Sequence, residues 1–83
     1  MTTDPHTAEA SRLAAIWSDV LDTPVSVDSD YFELGGDSLA AEEIAERAHS
    51  DLGIEPEMAD FYALSTPREM AEALGRLRDE PTT

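Results

Sequence analysis

Eighty-three residues make one small domain with a thin core, because at this length only about 60% of the unfolded surface can be buried. That leaves little room for a substrate cavity of ~300 Å³ beside an assembled catalytic site, so size favours a binding or carrier module over an enzyme. The net charge of −14, from 19 acidic residues against five arginines and no lysine, disfavours nucleic acid and anionic membrane surfaces and suits partners with a basic patch.

There is no cysteine, so neither a disulfide nor a thiolate metal site can form. No apolar run approaches the ~20 residues of a membrane span, and the acidic N-terminus lacks signal-peptide character. A cytoplasmic protein without a membrane or nucleic-acid partner is the expectation. The initiating Met1 and the polar ends suit a free-standing monomer, although a domain excised from a larger protein would look the same.

Leu13, Ile16, Trp17, Val20 and Leu21 recur at helical spacing, and Ala8, Ala10, Ala14 and Ala15 add helix propensity. The pattern predicts a first helix over about 7–22, ended by Pro24, with Asp4-Pro5 as a possible cap and first position. Residues 23–37 then form a connection rich in Pro, Ser, Asp and Gly. Its apolar residues Val25, Val27, Tyr31, Phe32 and Leu34 predict an ordered loop pinned to the core, with Asp28 or Asp30 capping a short turn over 31–34.

The loop leads into Leu34-Gly35-Gly36-Asp37-Ser38-Leu39, the most informative segment of the chain. Asp37 is placed to cap a second helix by accepting from the unpaired N–H groups of its first turn. Ser38 then occupies the first helical position, displayed outward. Gly35 and Gly36 carry no Cβ, so they permit unusual backbone angles and close approach by another macromolecule. A serine held this way suits modification by a separate enzyme.

This segment resembles the prosthetic-group attachment motif of acyl and peptidyl carrier proteins, also called thiolation domains, and is most similar to the peptidyl branch. The resemblance extends over about residues 12–75, including the long first loop. It implies an all-α fold, a small bundle of three long helices plus one short helix. It also implies covalent 4′-phosphopantetheine on Ser38, supported by Leu34, Gly35, Gly36 and Asp37. A phosphopantetheinyl transferase would install the group from coenzyme A. An adenylation enzyme or acyltransferase would load it, and condensation or tailoring enzymes would use the thioester in nonribosomal peptide or other secondary-metabolite biosynthesis. Ser38 is then a substrate residue, and the domain is not an enzyme. A polyketide or fatty-acid acyl carrier is the alternative within the family. An unmodified acidic helical interaction module is the alternative outside it.

The second helix is predicted from Ser38 to about Leu52, stopped by Gly53. Ala41, Ile44, Ala45, Ala48 and Leu52 share its inner face. Leu39, Glu43, Glu46 and Ser50 share the outer face, with Glu42 beside them. Leu39 is thus a bulky apolar group on an acidic face, next to the serine. That arrangement fits partner recognition by Leu39, Glu42, Glu43 and Glu46.

A one- to two-turn third helix is expected over 57–63. Met58, Phe61 and Tyr62 are expected mainly in the core, with Met58 or Phe61 bordering the partner surface. Thr66-Pro67-Arg68-Glu69 announces the last helix through an N-cap, a proline at the first position and an acid three residues on. Its stripe is Met70, Leu74 and Leu77 with Ala71 and Ala73, to about residue 78, so the ordered core is expected over 7–78 with polar tails at 1–6 and 79–83.

Gly36-Asp37-Ser38-Leu39 also spells the motif of the GDSL esterases, whose serine is a nucleophile. That chemistry needs a histidine base. His6 is expected in a mobile terminus, and His49 lies about 16 Å along the second helix at 1.5 Å per residue. Asp28-Ser29-Asp30 invites a calcium reading, but Phe32, Glu33 and Leu39 stand where the loop pattern needs an acid, a glycine and a glutamate. The two histidines are too isolated for zinc.

Overall fold

The computed structural model describes residues 5–80, which form four helices: α1 Pro5–Leu21, α2 Ser38–Leu52, α3 Met58–Ala63 and α4 Pro67–Asp79. Among the described residues there is no strand, and the predicted plan of three long helices and one short one is observed.

Helix α1 starts two residues before its predicted boundary, because Pro5 needs no N–H partner in a first turn. The expected Asp4 cap lies outside the described residues, as do positions 1–4 and 81–83 of the expected tails. His6 overturns the expectation of a mobile terminus: it is only 9% exposed, and Nδ1 lies 2.9 Å from Glu9 Oε1. The helix ends before Pro24 can act. Asp22 turns left-handed at φ 54°, and Thr23 N–H donates to the Ser18 carbonyl at 3.3 Å. Aspartate tolerates that region better than most residues, so it does here what glycine usually does.

Helix α2 is closed at both ends as its sequence predicts. Asp37 Oδ1 accepts from Ala40 N–H at 2.9 Å, and Gly53 at φ 69° donates to the His49 carbonyl at 3.1 Å. Ala41, Ile44, Ala48 and Leu52 are buried, while Ala45 is partly exposed. In α4, Thr66 Oγ1 accepts from Glu69 N–H at 3.1 Å, and Pro67 opens the helix.

The core is built around three fully buried rings. Tyr31 lies 4.5 Å from Phe61 and 5.1 Å, edge-on, from Trp17, and Trp17 lies 5.9 Å from Phe61. These geometries avoid the repulsion of face-to-face stacking. Leu13, Ile44 and Met70 surround them, with Ala10, Ala41, Ala48 and Ala71 letting the helices approach closely. Leu77 departs from its predicted inward role and is 64% exposed. The inward line of α4 runs through Met70, Ala71, Leu74 and Gly75, so at ~100° per residue the next position is 78 and Leu77 falls to one side. Arg78 fills that position and donates to the Leu52 carbonyl at 2.5 Å.

The first loop is ordered, as its apolar residues predict, and it is strapped to the start of α4. Tyr31 N–H donates to the Ser65 carbonyl at 2.8 Å, and Arg68 N–H to the Val27 carbonyl at 2.9 Å. The Arg68 guanidinium also holds both Asp28 carboxylate oxygens, at 2.8 and 3.2 Å, and keeps that carboxyl below its ordinary range. Asp30, the other candidate, caps the turn: its Oδ1 accepts from Phe32 and Glu33 N–H at 2.9 and 3.2 Å. The two acids of the calcium reading thus have structural partners. Phe32 is the exception among the loop anchors. It is 38% exposed, because Tyr31 takes the core position beside it.

Candidate attachment site at the start of the second helix

The turn that Asp30 begins continues through three backbone bonds. Leu34 N–H donates to the Asp30 carbonyl, Gly35 N–H to Phe32 and Gly36 N–H to Tyr31, each at 3.1 Å. Gly35 has φ +82°, a region that side chains rarely occupy. Gly36 is needed for a different reason: a Cβ there would lie 2.3 Å from Cζ of the Tyr31 ring. The close approach that the glycine pair predicts is therefore made at Gly36 by this chain's own tyrosine, not by another macromolecule.

Asp37 adopts an extended conformation, with φ −130° and ψ −176°, and caps α2. Its carbonyl accepts twice, from Ala41 N–H at 3.0 Å and from the Tyr31 hydroxyl at 2.6 Å. Burial first, and the Asp37 charge second, push the Tyr31 hydroxyl up to about 12, so it stays a protonated donor at neutral pH. Ser38 follows as the first helical residue, exposed, and its hydroxyl makes no hydrogen bond among the described residues. The unpaired amides of the first turn make its surroundings favourable to an anion, which the Asp37 carboxylate partly opposes.

A groove of about 330 Å³ begins at Ser38 and runs along Ala41, Glu42, Ala45, Pro56, Glu57 and Met58. Met58, partly buried, lines this groove. The alanines, Pro56 and Met58 give its wall an apolar character, and Glu42 and Glu57 edge it with charge. Leu39 is 76% exposed beside the serine. Of the acids on the same helix, Glu43 is engaged by Arg47 at 3.0 Å, and Arg47 also pairs with Asp19. Glu42 and Glu46 have no cation partner among the described residues.

Phe61 does not belong to the partner surface. It is fully buried between Trp17 and Tyr31, because a six-residue helix turns only one face inward and the purely apolar ring takes it. Its neighbour Tyr62, expected in the core, is 68% exposed and stacks on Phe32 at 4.7 Å and 26°. A six-residue helix is too short for its spacing to separate the two rings, although the polar tip of tyrosine suits the exposed position.

Neither imidazole is hydrogen-bonded to Ser38. His49 Nδ1 lies 3.1 Å from Glu55 Oε1, and His6 is held by Glu9. Among the described residues no histidine lies beside the Ser38 hydroxyl as the base of a nucleophilic serine would.

Comparison with known proteins agrees. The family described as phosphopantetheine attachment site matches residues 11–74. A plipastatin synthase of Bacillus subtilis is 34% identical over 80 residues, covering 95% of this chain and 3% of that protein. A nonribosomal peptide synthetase of Beauveria bassiana is 39% identical over 66 residues, covering 76% of this chain and 4% of that one. The chain therefore spans only a few hundredths of the length of these curated relatives. A solved nonribosomal PCP domain superposes with a TM-score of 0.74 at 28% identity, covering 99% of this chain and 100% of the other. The chain belongs to the phosphopantetheine attachment-site family, as an all-helical carrier domain that takes a covalent 4′-phosphopantetheine group.

Proposed function

We propose that Ser38 accepts the group and that the domain presents an aminoacyl or acyl thioester to the enzymes of nonribosomal peptide assembly. The observation that carries this reading is the exposed Ser38 hydroxyl at the first position of a capped helix, without a hydrogen-bond partner among the described residues. In the installing reaction a transferase removes the Ser38 proton and Oγ forms a bond to the pantetheine-side phosphorus of coenzyme A. The bond from that phosphorus to the bridging pyrophosphate oxygen breaks, so that the adenosine part leaves with that oxygen and the other phosphate. When bound, the group supplies the terminal thiol on which the cargo is carried, and no cysteine of the chain competes with it.

The chain's own residues do three things. Asp37 caps α2 and so holds Ser38 at its tip. Ala41, Ala45, Pro56 and Met58 offer the arm an apolar wall. Leu39, Glu42 and Glu46, with Glu43 partly neutralised, present an apolar anchor within an acidic rim to partners with basic surfaces. Those partners are the phosphopantetheinyl transferase, an adenylation enzyme or acyltransferase, and condensation or tailoring enzymes. The domain makes no bonds itself and acts in the cytoplasm as a monomeric tether that raises the local concentration of its cargo. No helix among the described residues is long and apolar enough to cross a membrane.

The test is intact mass after incubation with coenzyme A and a broad-specificity phosphopantetheinyl transferase. Wild type gains one group and Ser38→Ala gains none. An unchanged wild-type mass on folded protein, or modification of Ser38→Ala, overturns the assignment.

A further inference from the structure

We propose that the Tyr31 hydroxyl is a positioning group for the modification of Ser38, fixing the peptide plane from which that serine projects. The inference deepens the carrier reading and rests on it. Tyr31 is fully buried, and its ring is fixed from inside by Trp17 and Phe61. From that fixed position it meets the approach to α2 at three points. The ring lies where a Gly36 side chain would be, the Tyr31 carbonyl accepts from Gly36 N–H at 3.1 Å, and the hydroxyl donates to the Asp37 carbonyl at 2.6 Å.

The third contact is not needed to satisfy the carbonyl. Asp37 C=O already accepts the first helical bond, from Ala41 N–H at 3.0 Å. Removing the hydroxyl therefore leaves no buried group unpaired, and an ordinary hydrogen bond contributes only modestly to net stability. Its effect is geometric. The Asp37 carbonyl, the Ser38 nitrogen and the Ser38 Cα lie in one rigid plane. Holding the oxygen from below holds the direction in which Ser38 leaves the helix tip. Tyr31 N–H is itself tied to the Ser65 carbonyl at 2.8 Å, so the serine is referenced to the core and to the start of α4, not to the loop alone.

Tyr31→Phe keeps the ring and deletes only the hydroxyl. Steady-state transfer from coenzyme A by a broad-specificity transferase, with carrier concentration varied, separates orientation from docking. The expected result is a melting temperature within about 3 °C of wild type, kcat lowered about fivefold to tenfold and KM for the carrier within about twofold, since the Leu39 face is untouched. Equal kcat overturns the proposal. So does a rise in KM alone, or a large fall in melting temperature, which would make the hydroxyl a structural element. If wild type itself gains no mass, the carrier reading fails and takes this inference with it; wild-type modification with an unaffected Phe variant removes only Tyr31.

Discussion

Two regions of this molecule solve opposite problems. Where α1, α2 and α4 meet near residue 78, Arg78, Glu9, Asp79 and His6 answer one another. The Arg78 guanidinium pairs with both Glu9 oxygens and with Asp79 and also reaches the Leu52 carbonyl, while Glu9 in turn holds His6. Around Ser38 the central hydroxyl has no partner among the described residues, and Phe32, Leu39 and Tyr62 stand exposed nearby in sequence or by ring contact. The first region is complete in itself. The second is organised with equal care, through Asp37, Gly35, Gly36 and Tyr31, but around an exposed hydroxyl with no partner among the described residues.

The strongest way to break this contrast is through the core that both regions share. Trp17→Ala should cost about 3–5 kcal/mol, enough to unfold much of so small a domain, as measured by chemical denaturation. A loss under about 1.5 kcal/mol would mean that the aromatic cluster does not support Tyr31 as described.

Paired glycine substitutions sharpen the contrast. Gly36→Ala drives a Cβ into the fixed Tyr31 ring and should cost about 1–3 kcal/mol while slowing Ser38 modification at least about tenfold. Gly75→Ala meets the His6 ring instead, 2.5 Å from Nδ1, at the closed region. Its clash is offset by a gain of about 1 kcal/mol in helix propensity, so stability should change little and modification should not change. Equal transfer rates for both variants would erase the functional distinction.

The two regions should also fail at opposite ends of the pH scale. The Arg78 guanidinium, aided by His6, holds the Glu9 carboxyl below its ordinary value of 4.5. Its stabilising contribution is therefore complete above the unfolded carboxylate range and is lost as pH falls through the lowered value. The Tyr31 hydroxyl is raised from 10.0 to about 12, so its contribution is complete below 10 and is lost as pH rises toward 12. Urea unfolding followed across pH should show an acid limb weakened in Arg78→Met and a basic limb weakened in Tyr31→Phe. Limbs that respond to the other variant would contradict the assignment.

The smallest effects on stability come from the exposed leucines. Leu39→Asp and Leu77→Asp should each change it by less than about 0.5 kcal/mol. Only Leu39→Asp should weaken modification or loading, and unchanged kinetics with every partner would remove Leu39 from the interface.

Local chemistry explains which features were legible beforehand. Asp37, Gly53 and the Thr66-Pro67 start act within a few residues of themselves, so their roles could be read directly and hold. The place of Ser38 at the first position of α2 was legible for the same reason. Phe61 and Tyr62 were not separated, since six residues are too few for a period to show which ring faces inward. Leu77 and His6 were misplaced because position 78 and the first turn of α1 are decided by Arg78 and Glu9, which meet across 69 residues of chain.

The sequence by itself determined four helices, the caps of the second and the N-terminal cap of the fourth, and a serine at a helix tip, because each follows from short-range backbone hydrogen bonding and apolar spacing. Only the tertiary structure decided that Gly36 is shaped by Tyr31, that Phe61 is core and Tyr62 is surface, and that the peptide bearing Ser38 is held from beneath. Those outcomes depend on which distant side chains compete for the same few cubic ångströms, and no local pattern records that competition.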